Sequence, residues 1–274
     1  MRQVPHIHHQ PPAVGSGLNV GMSQDKGQDR NCELETGSWK PPALRFDLHV
    51  HTQYSYDCLL SLEKLMAVVC RRQLDGIAVL DHDEIEGALR LQDQAPFQVL
   101  VGEEIGTLHG GIGALFLHKR IPPHLSAEET IARIHDQGGL VFMVHPLARG
   151  VPGRIEQAKL HEVLRDVDVI EGYNARAPLA DDDARARELA AQHLIPVAAG
   201  SDGHFACEIG RAWTETDAFS GPADFLASLR NATLRYSTKT PYFMPALTVA
   251  SIAPLTLRRA LRARCGTCPK PYHN

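Results

Sequence analysis

From Leu44 onward the chain alternates short apolar runs with segments of helical period. Strand-like runs cover Arg45–His49, Gly76–Leu80, Gln98–Glu103, Ile112–Leu117, Leu140–Val144, Val167–Glu171 and Ile195–Ala199. Amphipathic patterns between most of them predict helices over Ser61–Gln73, Ser126–Gln137, Ile155–Arg165 and Asp182–Gln192. Ser61 stands where an N-cap is needed, and Ser126 with Glu129 has capping-box spacing. Ser61-Leu62-Glu63-Lys64 also spells the S-x-x-K string of serine acylases, but no partner motif follows, so the reading is a helix cap. Asp181-Asp182-Asp183 reads as a solvated helix start, carboxylates meeting the positive end of the dipole.

Alternating strand and helix units predict an α/β fold with a parallel sheet and right-handed crossovers. Seven strands in one series favour a closed or nearly closed (β/α) barrel over an open Rossmann sheet. No G-x-G-x-x-G or G-x-x-x-x-G-K-[ST] follows any run, which removes dinucleotide and P-loop readings.

Outside this stretch the pattern changes. Residues 1–41 are rich in Pro, Gly, Gln and Asn and are expected to be a disordered extension, with Met22 as a second possible start. The barrel is expected to span 42–243, followed by a basic helix and tail over 244–274. Arg258, Arg259, Arg262 and Arg264 there read as a solvent face, with contact to RNA or an acidic partner as the alternative. Cys265-Gly266-Thr267-Cys268 has C-x-x-C spacing but no second pair, so it reads as tail, and the six cysteines read as mostly reduced thiols.

Length and composition add bounds. With 274 residues and 43% hydrophobic content, the chain can bury a full core as one large domain. The net charge of -4 gives no global basic field, so bulk nucleic-acid binding is not implied. No apolar run reaches the ~18 residues of a membrane helix, and a cytoplasmic location is expected.

The chemistry lies at the ends of the apolar runs. Asp47-Leu48-His49-Val50-His51 and Asp57 come first, then Asp81-His82-Asp83, Glu104, His145-Pro146 and Ser201-Asp202-Gly203-His204. Imidazole nitrogens and carboxylate oxygens are ligands of Zn, Mn and Fe, and this supply exceeds the needs of one ion. In a (β/α) barrel the C-terminal strand ends converge on one rim, which brings these sequence-distant residues together. Residues i and i+2 of a strand share a face, so His49 can project with His51, and Asp202 with His204. Glu103 should face away from Glu104, and Asp81 and Asp83 are expected to hold histidine tautomers by hydrogen bonds. His118, His124, His135, His161 and His193 lie away from strand ends and read as surface residues.

In this order D-L-H-V-H-T-x-x-S-x-D, L-D-H-D, G-E-E-I, H-P, N-A-R and G-S-D-G-H resemble the polymerase and histidinol phosphatase (PHP) superfamily, in particular its small stand-alone metal-dependent phosphoesterases. The resemblance covers roughly residues 45–240 and implies a distorted, TIM-barrel-like seven-stranded (β/α) barrel. By position it implies His49, His51, Glu104 and Asp202 as ligands of a first metal, Glu104 with His145 at a second, and Asp57, His82 and His204 at a third. The family places a further His or Glu about seven residues beyond the bridging glutamate; the matching residue is Gly111, with His109 as a substitute candidate. Arg149 and Arg176 are assigned to phosphate contact, with structural ion pairs on the rim as the alternative, and Arg211 is a weaker candidate.

The expectation is therefore a phosphoric ester hydrolase with two or three divalent ions (Mn, Zn or Fe), in which a metal-bound hydroxide cleaves the phosphate ester of a small metabolite or nucleotide. A 5′-3′ exonuclease or nucleotide phosphatase acting on short nucleic acid, and a non-catalytic metal-binding PHP module, are the alternatives.

Overall fold

The computed structural model describes residues 43–241 and 243–250. Within it each of the apolar runs forms a strand: β1 (Leu44–Val50), β2 (Gly76–Val79), β3 (Gln98–Thr107), β4 (Gly110–Leu115), β5 (Leu140–Met143), β6 (Val169–Asn174) and β7 (Val197–Gly200). Two more, β8 (Ala212–Thr216) and β9 (Thr233–Tyr236), complete a nine-stranded sheet ordered β7-β6-β5-β4-β3-β2-β1-β8-β9.

The sheet is mixed rather than parallel. β1–β2–β3 and β5–β6–β7 pair in parallel, but β4 is antiparallel to both β3 and β5. The cause is local: Leu108 and His109 alone separate β3 from β4, and a connection that short makes a hairpin, never a crossover. β8 lies antiparallel against the first half of β1. Beyond it the second half of β1 meets the segment after β7, with a parallel bridge between Val50 and Gly203 and a 3.0 Å bond from His51 N–H to Gly203 C=O. These contacts nearly close the sheet into a barrel.

Alternation along the strands sorts most of the core into two clusters, beside a small third one of Tyr173, Ala175, Ala199 and Ala212. Ile77, Val79, Val99, Val101, Val141 and Met143 pack against helices α1 (Leu62–Arg72), α2 (Glu86–Gln94), α3 (Ala127–Asp136), α4 (Gln157–Val163) and α5 (Ala180–His193). Phe46, Leu48, Ala78, Leu80, Phe142 and Val144 face the other way, with Phe225 and Leu229 of α6 (Pro222–Leu229). Ser61 and Ser126 cap α1 and α3 as expected, accepting from Lys64 N–H at 3.4 Å and Glu129 N–H at 3.1 Å. A 3₁₀ turn over Leu164–Asp166 ends the fourth helical segment.

The start of α5 is not the solvated acidic cluster expected. Asp182 and Asp183 are buried: Asp182 takes the Arg149 backbone and guanidinium, and Asp183 takes Asn174 N–H and Lys239. Among the described residues no helix is long and apolar enough to cross a membrane. The Arg258–Arg264 helix, the Cys265/Cys268 pair and the extension over 1–41 fall outside the described residues.

Candidate metal centre

β1 carries His49 near its end, and the chain then turns through His51 to Asp57. The register between β1 and β2 shifts between Asp47 and Val50, so the last residues of β1 leave regular pleating where the first two imidazoles stand. His49 Nε2 and His51 Nε2 lie 3.1 Å apart. Glu104 Oε2 approaches them at 3.3 and 3.6 Å, and Asp202 Oδ1 at 3.8 and 3.3 Å. Four donor atoms, from β1 and the residue after it, β3 and the segment after β7, thus face one point. Gly200, at the end of β7, is required by this approach: a Cβ there would stand 2.3 Å from that of His49.

A second group adjoins the first. Asp57 Oδ2 lies 2.9 Å from His204 Nε2 and 3.3 Å from His82 Nε2. The His51 ring stacks near both, with centroids 4.3 Å from His204 and 4.8 Å from His82. A third approach is made from β5, where His145 Nε2 stands 3.3 Å from Glu104 Oε1. The two oxygens of Glu104 therefore face different partners. Candidate ion-holding groups overlap: His51, Asp57, His82 and His204; His49, His51 and Glu104; and His49, His145 and Asp202. His145 and Asp202 both carry positive φ, 30° and 52°, unfavourable for residues with a side chain and common where a site over-determines the backbone.

The electrostatics follow from the crowding. Burial pulls His49 toward neutrality, but Glu171 and Asp202 overcome it and raise its pKa well above that of free imidazole. Burial likewise opposes protonation of His82 and His145; Glu104 and Asp57 lift His82 to about 9, and Glu104 lifts His145. His51 goes the other way, down to about 3, through burial and the neighbouring His204. Against the cost of burial, the histidines hold Asp57, Glu104 and Asp202 below the usual carboxylate range. The buried carboxylates are thus balanced by the positive charge of their histidine neighbours, a role that a bound cation would take over.

The donor set fits a divalent metal. Mixed imidazole and carboxylate ligation suits Mn, Fe or Zn, and the buried ring nitrogens His51 Nδ1 and His145 Nδ1 have no hydrogen-bond partner. Every expected ligand, His49, His51, Asp57, His82, Glu104, His145, Asp202 and His204, is in this cluster.

The supporting groups differ from those expected. Asp81 accepts from Thr52 N–H at 2.5 Å and Thr52 Oγ1 at 2.6 Å, and Asp83 accepts from Gly106 N–H at 2.8 Å, so both brace backbone rather than histidine rings. The imidazoles are held elsewhere: His49 Nδ1 lies 3.0 Å from Glu171 Oε1, and His204 Nδ1 lies 2.9 Å from Asp202 C=O. Glu171 also accepts from His145 N–H at 2.6 Å and from Asn174 Nδ2 at 3.0 Å. Its position at the end of a predicted strand was the available signal; nothing in the sequence pattern singled out Glu208. That buried carboxylate accepts from His204 N–H and Phe205 N–H at 2.9 and 3.0 Å and pairs with Arg176. Glu103 faces away as expected, accepting from Ile121 N–H at 2.9 Å.

The two arginines part company. Arg176 lines the cavity over the cluster, its guanidinium 3.2 Å from Glu208 Oε2 and donating to Thr248 Oγ1 at 2.5 Å. Arg149 does not line it; its Nε donates to Asp182 at 2.7 Å and its Nη2 to Asp181 at 3.4 Å, the structural ion pair given as the alternative. Arg211 donates to Cys207 C=O and Thr238 Oγ1, away from the cavity.

Gly111 adds no donor, although a Cβ built there would stand 3.1 Å from Glu104 Oε1. His109 does not replace it: its Nδ1 accepts from Ala127 N–H at 3.3 Å, at the start of α3. The cavity measures about 430 Å³ and also takes Val151, Pro152, Pro245 and Val249 into its walls. The last two belong to a helical stretch over 244–250.

Comparison with known proteins agrees with this architecture. A family model described as PHP-associated matches residues 182–234, the stretch that includes Asp202 and His204. Two uncharacterized proteins of Methanocaldococcus jannaschii are similar: MJ0417, 31% identical over 62% of this chain and 69% of its own, and MJ1587, 32% identical over 48% and 82%. The chain belongs to the PHP superfamily. Its fold is also that of a two-domain protein from Bacteroides vulgatus containing a predicted PHP-like metal-dependent phosphoesterase, with TM-score 0.58, 17% identity, and coverage of 72% of this chain and 67% of that one. At that identity the likeness carries the PHP fold and nothing finer.

Proposed function

We propose that this PHP chain is a metal-dependent phosphoesterase that hydrolyses the phosphate ester of a small metabolite or nucleotide. The observation that carries this reading is the convergence of eight imidazole and carboxylate side chains in three overlapping groups joined through His49 and His51, six of the eight lining one cavity. Bound divalent ions supply Lewis acidity toward phosphate oxygens and lower the pKa of water.

The chain's own residues do the rest. His49, His51, Glu104 and Asp202 would hold one ion, and Asp57, His82 and His204 a second. Glu104, with one oxygen toward each flank, would link the first ion to any held beside His145. Glu171 fixes His49 by its Nδ1, leaving Nε2 as the donor atom. Arg176 directs positive charge into the cavity, and its pairing with Glu208 and Thr248 fixes its fork for a phosphate oxygen. A cavity of about 430 Å³ suits a small ester better than an extended strand.

The test is phosphate release from a panel of phosphomonoesters and short oligonucleotides by metal-stripped protein reloaded with Mn, beside His49→Ala. Turnover that needs Mn and is lost in the variant supports the reading. Stoichiometric metal binding with no turnover of any substrate would instead identify a non-catalytic metal-binding module.

A further inference from the structure

The cavity has two unlike halves. Its floor is the charged donor cluster; its outer half is an aromatic and aliphatic wall. Tyr56, half exposed, lays its ring on His82 with centroids 4.8 Å apart and planes at 23°, which leaves its other face free of that stack. Val151, Pro152, Pro245 and Val249 supply the aliphatic remainder of the lining.

Charge sharpens the picture. Among the described residues lining the cavity, Arg176 is the one lysine or arginine, and it is already paired with Glu208. The outer half instead carries Asp83, whose Oδ1 accepts from Gly106 N–H at 2.8 Å. A substrate's reacting phosphate would be met by the donor cluster and Arg176. A second phosphate or a carboxylate on the alcohol would meet Asp83 and, among the described residues lining the cavity, no cation but Arg176.

We propose that the site selects monoesters whose alcohol bears a flat, uncharged ring, seated on Tyr56 and against Val249, and discriminates against esters that carry a second anionic group. This inference rests on the phosphoesterase reading for the chemistry but not for the binding. A stacked aromatic pair prefers offset contact at centroid distances like the one Tyr56 already makes with His82, and the aliphatic residues opposite would cover the ring's edge.

The experiment uses the Mn-loaded full chain and two sets of probes. Benzyl, ethyl and 4-carboxybenzyl phosphate report kcat/KM with alcohols of similar acidity. The matching phosphonates, which cannot be hydrolysed at phosphorus–oxygen ester bonds they lack, report affinity by calorimetry. The benzyl compound should be preferred over the ethyl by roughly tenfold in both measurements, as one aromatic contact supplies. The preference should collapse in Tyr56→Ala and persist in Tyr56→Phe, and the added carboxylate should reverse it.

Because Tyr56 rests on His82, metal content is measured for each variant. Val249→Ser, which removes no donor side chain, should lower the benzyl preference by about threefold, roughly the loss of part of one apolar contact. Equal binding of benzyl and ethyl phosphonates, or a preference untouched by both Tyr56→Ala and Val249→Ser, overturns the inference. If no ester turns over but the phosphonate preference appears and falls with Tyr56→Ala, the phosphoesterase reading fails and the ring site stands. If esters turn over without preference, the reverse holds.

Discussion

The two flanks of Glu104 are built differently. On one side Asp57, His82 and His204 stand with His51 in a single group of donors, rings stacked and the carboxylate between two imidazoles. On the other, His145 approaches Glu104 Oε1 and groups only with His49 and Asp202, donors already shared with the first ion, and Gly111 occupies the place from which another side chain would reach Glu104. An ion held by several protein donors of its own is bound tightly; one whose only unshared donor is a single imidazole needs water or substrate oxygens to complete its shell. The centre is therefore expected to hold its ions unequally, the His145 side most weakly.

The largest effect is expected where both flanks share a residue. Glu104→Gln keeps the shape and removes the charge, and should lower kcat/KM by about a thousandfold, the several kcal/mol that metal ions contribute at ~1.4 kcal/mol per tenfold. Retained activity would show that the flanks work independently.

Next come the flanks taken separately. His204→Ala should reduce the number of ions retained after dialysis, whereas His145→Ala should leave that number unchanged while weakening activity by roughly 10–100-fold, as for groups that tune rather than hold a site. Equal loss of metal from both variants would abolish the distinction. Gly111→His is the converse change: if the His145 side lacks only a donor, metal retained per chain should rise. The Cβ would lie close to Glu104 Oε1 and 3.3 Å from Gly153 C=O, so its thermal stability should be followed too.

A smaller effect separates burial from histidine contact. Glu103 and Glu104 are neighbours on β3, and both are buried. Imidazoles hold Glu104 ionised, but Glu103 has none, and burial raises its pKa to about 8, with only Ile121 N–H and the Arg120 charge pulling it back. A carboxyl whose folded pKa exceeds its unfolded value binds more protons when folded, so stability should fall as pH rises from about 4.5 to about 8. Glu103→Gln should flatten that slope in denaturant titrations across the range. An unchanged slope would place the proton elsewhere.

How much of this was legible in the sequence depended on the kind of information. The seven apolar runs were enough for seven strands because each is buried and bounded by turns. β8 and β9 escaped because Ala212–Thr216 and Thr233–Tyr236 are short, polar and partly exposed, which is what edge-like strands look like. α2 escaped because it has no side-chain cap and includes Gly87 in its first turn. Strand direction is absent from periodicity, so the antiparallel β4 was missed until its two-residue connection was seen. The donor residues were readable because they sit in order at run ends. Their supports were not: Glu171, Glu208 and the Arg149–Asp182 pair depend on contacts across 26 to 122 positions in the chain or on loop geometry that no local spacing encodes.

The most direct test of the metal centre is anomalous diffraction from crystals of the Mn-loaded protein. Strong peaks among His49, His51, Glu104 and Asp202 and among Asp57, His82 and His204, with a weaker peak or none beside His145, are the predicted result. Mn peaks absent from this cavity, or found only elsewhere on the chain, would contradict it.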